Sequence, residues 1–469
     1  MRRRWAQMMT VAVLAVVCWT PPLHASLAGR IERILQSTAQ RENRFGIHVV
    51  DAETGRTLYA HAETTPRVPA SNMKLIATAA ALHYLGADYA FKTEVALLDG
   101  ALVVIGYGDP LLGDERIDPR HGRAPGWVFD DIVGALKDRG VTTLSDVFVD
   151  GTFFDRQRVR PSWPPDQLNR WYCAEISGLN YNDNCIRVEV HNKGSAVVVN
   201  LDPPTRYVTI VNQVKPASRG ASAVEGLRTS EPNRVIVRGV CRKSEGFWLA
   251  IEDPTAFFGV LLYERLQAAG IRVQGKLAEK YLRHDKRLEV LRTYPTPIRD
   301  VLERSNKNSL QVAAECLVKA ISAENTVGRI NGEWPHGLRL IGRYLEGLGV
   351  PAEEFHLDDG CGMSRLNRLS PATVTAVLLD RYRSEDWPVF RDSLAVGGVD
   401  GTLDGYFREE PYKGRIRGKT GYLDGVRSLS GYAETPRGMV VFSILTEYPR
   451  TSTYAAIRDI VKAIFDEAP

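Results

Sequence analysis

The 469-residue sequence lacks most of the short signatures from which a reaction can be read directly. It holds no H-E-x-x-H pair, no G-x-S-x-G elbow, no P-loop and no G-x-G-x-x-G turn, so the zinc-peptidase, α/β-hydrolase and nucleotide-binding readings find no support. Cysteine is scarce: after Cys18 near the N-terminus come only Cys173, Cys185, Cys241, Cys316 and Cys361. An odd, scattered set without a C-x-x-C pair argues against a zinc site and against a dense disulfide scaffold. A single Cys173–Cys185 bridge is left open. The nine histidines are dispersed and suggest no ligand set. No low-complexity tract interrupts the chain, and apolar and charged contents of 44% and 25% are those of a folded globular protein.

Long apolar runs are also missing, with one exception. Arg2, Arg3 and Arg4 precede the run Met8 to Trp19, and Leu23-His24-Ala25 offers a small residue before Ser26. That is the layout of a secretory signal peptide, expected to be cleaved near Ala25. The run of about 12 residues is short of the roughly 20 needed to span a bilayer. An exported protein, in the periplasm or cell envelope, is the reading that follows. The three arginines are the only charged residues of this segment, so its removal takes the formal charge from +4 to +1. Neither nucleic acid nor an anionic membrane is indicated as the main partner; peripheral membrane contact stays open.

The length exceeds what one hydrophobic core usually supports, so more than one domain is expected. Leu27 to Arg41 has helical periodicity, and Gly46 to Val50 with Arg56 to Ala60 reads as a hairpin. A helix is expected from Ser71 to a stop at Gly86, just after Pro69. From about 90 to 290 the chain changes to short strand-like runs punctuated by Gly, Pro and Asn. Helical patterns return at Ile298 to Leu302, Leu310 to Ile321, His336 to Leu348 and Pro371 to Arg383. Three strands (Arg415 to Leu423, Val426 to Glu434, Gly438 to Glu447) and a helix Tyr454 to Phe465 close the chain. The pattern predicts an α/β unit split into 26–90 and 290–469 by a β-rich insertion over 91–289, itself two small domains.

Three motifs carry chemistry. Ser71 and Lys74 stand three apart on a predicted helix, hence on one face. There a lysine whose pKa is lowered by burial or a nearby cation can accept a serine's proton. S-x-x-K occurs about once by chance in a chain this long, but this is its only occurrence here. Lys419-Thr420-Gly421 falls within a predicted strand, where a glycine lets another backbone approach an edge, and the lysine and threonine can hold a carboxylate. Between them lies a serine-centred stretch from Ser305 to Gln311. Asp109 and Asp400, in glycine-rich turns, read as Asx-turn residues.

In this order the motifs form the signature of penicillin-recognising enzymes, and longer stretches extend the match. Pro69 to Leu75, Gly108-Asp109-Pro110, Asp359 to Arg365 with Asn367 to Pro371, Gly398 to Thr402 and Gly418 to Gly421 resemble the D-alanyl-D-alanine carboxypeptidase/endopeptidase family. This is the low-molecular-mass penicillin-binding group with large inserted domains. The resemblance implies an α/β (α+β) transpeptidase/β-lactamase-like domain, with a five-stranded antiparallel sheet flanked by helices, plus inserted mostly-β domains. It implies Ser71 as acylated nucleophile, Lys74 as general base, a middle serine as proton relay, and Lys419 with Thr420 as anchors for a substrate carboxylate. Gly421 belongs to the substrate edge, and the backbone N–H groups of Ser71 and Tyr422 would form the oxyanion site. Peptidoglycan stem peptides ending in D-Ala-D-Ala and β-lactams are the implied partners, with no metal or cofactor.

The middle motif departs from S-x-N. The register set by Ala314-Glu315 aligns Ser309-Leu310-Gln311, placing Gln311 where Asn is usual; Ser305 is the competing placement, less favoured because it puts the following helix out of step. Cys361 stands where serine is usual and reads as a small-residue swap. Two other functions stay in play: a β-lactamase of the same fold, against which the long insertion speaks, and a non-catalytic peptidoglycan-binding scaffold, for which the altered middle motif speaks.

Overall fold

The three C-terminal strand patterns pair in sequence as antiparallel neighbours, Ile416–Leu423, Val426–Thr435 and Gly438–Glu447. In the computed structural model, which describes residues 26–328 and 331–468, Arg44–Asp51 pairs along the free side of Gly438–Glu447, and Thr57–His61 follows it. The two-residue strand Ala395–Val396 lies at the opposite margin. The result is an antiparallel sheet of five full strands and a short sixth. The segment expected to be a signal peptide, 1–25, lies outside the described residues, among which no helix is long and apolar enough to cross a membrane.

Side-chain alternation divides the two faces of this sheet. Ile47, Val49, Leu429, Phe442 and Ile444 pack with Leu27 and Ile31 of helix Leu27–Leu35 and with Ile457, Ile460 and Ile464 of helix Tyr454–Glu467. On the other face Tyr432 and Val441 join a core built from helices Met73–Leu85, Gln311–Glu324 and Pro371–Arg383. Helix Met73–Leu85 is buried without a break from Met73 to Leu82, and four alanines in that stretch let neighbours close on every side. It stops at Gly86, whose φ of +82° suits only glycine at low cost.

Between Ala90 and Pro297 the chain builds a second sheet, ordered Leu277–Glu279, Val147–Asp150, Ala101–Gly106, Ala90–Leu98, Glu289–Pro297. Its first and last strands in sequence pair antiparallel, so the chain leaves and returns side by side. Two three-stranded sheets, around Cys185–Asn192 and Arg234–Cys241, lie further out. This strand-rich stretch also carries helices Trp127–Asp138 and Pro254–Ala268, which the sequence reading did not name; Pro254–Ala268 buries apolar residues on so many sides that no amphipathic stripe stands out. The Cys173–Cys185 bridge left open above does not form, since all five described cysteines are free, buried thiols.

Two buried cations tie this part to the helices of the first core. Arg304 in helix Ile298–Lys307 donates through Nε to Asp114 Oδ2 at 2.6 Å and through a terminal nitrogen to Asp183 Oδ2 at 2.9 Å. Lys319 is buried under Trp334, 3.9 Å from the ring centroid, and donates to Asp155 Oδ1 and the Gln157 carbonyl, each at 2.6 Å. Asp183 sits in a turn where Asn182, Asp183 and Asn184 all have φ near +55°, a left-handed run strained for non-glycine residues. Arg304→Met is therefore expected to lower the unfolding free energy by about 3–5 kcal/mol, because it strands two carboxylates without their counter-charge. Urea denaturation reads the loss, and adding Asp114→Asn should recover part of it.

Candidate active site

The first motif opens on a short 3-10 turn, Ala70–Asn72, and the α-helix proper starts at Met73. Ser71 thus stands just ahead of a helix N-terminus, with Lys74 one turn on. Lys74 Nζ lies 3.4 Å from Ser71 Oγ and donates to the Cys361 carbonyl at 2.7 Å. The ammonium is 2% exposed, and burial lowers the Lys74 pKa; the nearby Cys361, Asp359 and Glu315 oppose that shift without reversing it.

Ser309 occupies the bend between helices Ile298–Lys307 and Gln311–Glu324 with φ +61°, a left-handed conformation that projects its hydroxyl away from both helices. Ser309 Oγ donates to Ser71 Oγ at 3.1 Å and accepts from Lys419 Nζ at 3.0 Å. Ser305 is elsewhere: it is fully buried within its helix, with no partner for its hydroxyl. Gln311 opens the next helix, 2% exposed, and neither its Oε1 nor its Nε2 has a hydrogen-bond partner. Leaving a buried amide unpaired on both sides costs about 1–3 kcal/mol per group, so the site is built with an unmet hydrogen-bonding demand.

Lys419 points into the same space from strand Ile416–Leu423. It is completely buried, and burial, followed by the repulsion of Lys74, holds its pKa well below the usual lysine range. Lys419 Nζ also donates to the Thr420 carbonyl at 2.9 Å. In an antiparallel ladder the N–H and C=O of one residue face the same side, and every second residue faces alike. Gly418 faces the short strand Ala395–Val396, which pairs no further than this glycine. Thr420 and Tyr422 thus turn their backbone polar groups to the open continuation of that edge, beside the two serines and two lysines.

The side chains of these residues go elsewhere. Thr420 and Tyr422 alternate away from Lys419 and line, with Tyr406, Arg427 and Tyr454, a hollow of about 280 Å³ on the far side of the strand, where the Arg427 guanidinium lies 3.6 Å from the Tyr422 ring centroid. Gly421 faces inward, and a Cβ there would fall 2.0 Å from Ser428 Oγ and 2.9 Å from the Pro69 carbonyl. The missing side chain lets the Ser71 turn seat against the strand, rather than making room for a ligand.

That seating uses residues the motif reading passed over. Asn72 Nδ2 donates to the Lys419 carbonyl at 2.7 Å, and its Oδ1 accepts from Ser430 Oγ at 2.6 Å. Ser428 Oγ donates to the Pro69 carbonyl at 2.8 Å. A usable signal was present, since Ser428 and Ser430 alternate on the inward face of a largely buried strand. Cys361 contributes its backbone; its thiol is pushed well above the usual range by burial and is no second nucleophile. Asp109 makes the expected Asx turn, accepting from Leu111 N–H at 2.9 Å.

The profile of the D-Ala-D-Ala carboxypeptidase 3 (S13) family matches residues 27–466. This chain belongs to that family. Among relatives, a D-alanyl-D-alanine carboxypeptidase of Actinomadura sp. (strain R39) is 31% identical, the match covering 98% of this chain and 89% of the relative. The D-alanyl-D-alanine carboxypeptidase DacB of Haemophilus influenzae is 26% identical, over 80% and 79% of the two chains. The crystal structure of penicillin binding protein 4 (dacB) from Haemophilus influenzae superposes with a TM-score of 0.78 at 21% identity, covering 93% of this chain and 98% of that one. The same protein has been crystallised with a β-lactam. The chain has the fold of that penicillin-binding protein over nearly its whole length.

Because Gly421 is a contact surface for the Ser71 turn, Gly421→Ala is expected to destabilise the protein by about 1–3 kcal/mol through overpacking. Removing the opposing hydroxyl with Ser428→Ala should return part of that loss, whereas additive losses in urea melts would show that the two sites are not in contact.

Proposed function

We propose that this chain is an exported serine-type D-alanyl-D-alanine carboxypeptidase or endopeptidase of peptidoglycan stem peptides, working through an acyl-enzyme on Ser71. The observation that carries this reading is the convergence on Ser71 Oγ of Lys74 Nζ at 3.4 Å and Ser309 Oγ at 3.1 Å, with Lys419 Nζ one hydrogen bond further on. A peptide with a free C-terminus lies along the open edge at Thr420 and Tyr422 as an added strand. Its terminal carboxylate meets Lys419, whose buried ammonium gains the counter-charge it otherwise lacks.

Neutral Lys74 takes the proton as Ser71 Oγ attacks the carbonyl of the penultimate D-alanine. The oxyanion forms between backbone N–H groups, Tyr422 on the open edge and Ser71 at its turn, each donor worth about 3 kcal/mol. Ser309 then relays the proton from Lys74 to the departing amine of the terminal D-alanine, leaving Lys74 neutral again. Water adds to the same carbonyl, giving its proton through Lys74 back to Ser71 Oγ as the acyl group leaves as the free acid. The unpaired amide of Gln311 is available to the substrate backbone. A β-lactam enters by the same attack on its ring carbonyl and stays bound when hydrolysis is slow; persistence of that adduct separates this reading from a β-lactamase, and its formation separates it from a non-catalytic scaffold.

Intact-mass analysis after exposure to benzylpenicillin tests the assignment. One adduct is expected on the wild type and none on Ser71→Ala; an adduct that persists in the variant places the nucleophile elsewhere. The depressed pKa of Lys74 also sets the pH dependence. The reactive form is the neutral amine, which grows as pH rises through that lowered value, so the acylation rate should rise with pH along a limb below the ordinary lysine value of about 10.4. A rate flat between pH 5 and pH 10 would remove Lys74 as base.

Gln311 supplies a further check. A side chain one methylene longer than asparagine displaces its amide by more than an ångström unless the backbone retreats, and a misplacement of about 1 Å can lower a rate about a hundredfold. Gln311→Asn is expected to preserve or raise the second-order acylation rate and Ser309→Ala to cripple it, with Ser305→Ala close to wild type.

A further inference from the structure

Helix Gln311–Glu324 is buried on every side, yet it carries Gln311, Glu315 and Lys319 at four-residue spacing, one polar stripe through an apolar core. A carboxylate with no exposed surface must be met by donors. Glu315 is met by three: the Cys361 N–H at 2.7 Å, the Gly360 N–H at 3.0 Å and Trp334 Nε1 at 2.6 Å. The loop is pressed onto the helix so closely that a Cβ on Gly360 would come 2.4 Å from Val318 Cγ2.

Asp359 closes the same loop on itself, accepting from Gly362 N–H, Ser364 N–H, Asn367 Nδ2 and Trp163 Nε1 at 2.6–3.0 Å. Glu315, Asp359 and Cys361 bring their ligand-type atoms within 4.8 Å of one another, the spacing of a metal cluster. Both carboxylates, however, are engaged by N–H donors, so the cluster is a clamp on a loop. What the clamp holds is residue Cys361 from both sides: Glu315 fixes its N–H, in the Gly360–Cys361 peptide, and Asp359 fixes the Gly362 N–H of the next peptide, whose Cys361 carbonyl accepts from Lys74 Nζ at 2.7 Å.

We propose that Glu315 is a positioning residue for the catalytic lysine, anchoring through the Gly360 and Cys361 N–H groups the loop whose Cys361 carbonyl aims the Lys74 amine at Ser71, and supplying negative charge that sets how readily this amine gives up its proton. The proposal rests on the reading of Lys74 as the base. The groups facing Glu315 are Asp359 and Cys361 from the loop, Trp334 from helix Trp334–Gly347, Lys74 from the Ser71 helix and Lys319 one turn along its own helix. Burial and the proximity of Asp359 push the Glu315 carboxyl up to about 7 against the opposing pull of the three donors, so its negative charge grows as pH rises through that value.

Glu315→Gln keeps the shape of the side chain and removes the charge; Glu315→Asp keeps the charge and withdraws it by one methylene. The measurements are the second-order rate of acylation by benzylpenicillin against pH, the titration of the Lys74 amine by its Nζ resonance in ¹⁵N-lysine-labelled protein, and thermal melts. In Glu315→Gln the rising limb and Lys74 titration are expected to move to lower pH, since less negative charge holds the proton on the amine. The rate on the high-pH plateau is expected to fall at least tenfold, since an NH2 replaces one oxygen that accepts from the loop N–H groups and Trp334 and loosens the Cys361 anchor. Glu315→Asp should keep the limb near its wild-type position while losing rate, and it decides alone if the glutamine variant does not fold: a full wild-type rate there overturns the proposal. A Lys74 titration unmoved in Glu315→Gln overturns it too, including when the rate falls in step with the melting temperature. Failure of the wild type to acylate would instead count against the functional reading, and the Lys74 titration would still decide the role of Glu315.

Discussion

Two lysines buried within one hydrogen-bonded chain are the constraint around which the rest of this structure is arranged. Lys74 and Lys419 are 2% and 0% exposed, and their charges repel each other through two serine hydroxyls. An isolated ammonium in such a place is strongly disfavoured, and proteins resolve the conflict by neutralising the group or supplying it with acceptors. Here both occur. The pKa of each lysine is driven down, and each is given a backbone carbonyl, Cys361 for Lys74 and Thr420 for Lys419. A lysine held this way gives up its proton at lower pH than a free one, which is the property the proposed base role of Lys74 requires.

Holding such an arrangement open to a substrate requires rigid surroundings, and the strain sits where that rigidity is needed. Ala70 and Ser309, on either side of the Ser71 hydroxyl, both have left-handed backbone, which for residues with a Cβ persists only where neighbours overdetermine it. The neighbours are identifiable. Asn72, Ser428 and Ser430 bolt the Ser71 turn to the strand of Lys419, and Gly362 leaves room for the Ala70 carbonyl, which a Cβ there would approach to 1.8 Å. The helix carrying Gln311, Glu315 and Lys319 reaches in one element from the site to the strand-rich stretch of the chain, where Lys319 finds Asp155 and Gln157.

Much of this was legible along the chain. The period-two runs after 415 and the amphipathic or apolar helices after 298 gave elements whose ends agree with the structure to within a few residues, because local pattern and burial demand the same conformation there. Helix Pro254–Ala268 escaped for the opposite reason, since it buries apolar residues on so many sides that no polar face stands out, whereas Trp127–Asp138 sets Val128, Phe129, Ile132, Val133 and Leu136 against Asp130, Asp131 and Lys137, a helical period passed over among strand-like runs. The S-x-x-K pair was readable because its geometry is local, one helical turn.

What the sequence by itself determined is therefore local: the spacing of Ser71 and Lys74, the strand bearing Lys419, and a family resemblance built from short motifs. Only the tertiary structure decided how they meet. Ser309 lies 238 residues from Ser71 and 110 from Lys419, and the hydrogen bonds joining them come from where helices and sheet pack, which no local period encodes. It also assigned work to backbone atoms. The Cys361 carbonyl, the Thr420 edge and the peptide clamped by Glu315 are groups every residue possesses, so their roles follow from position in the fold and leave almost no trace in residue type.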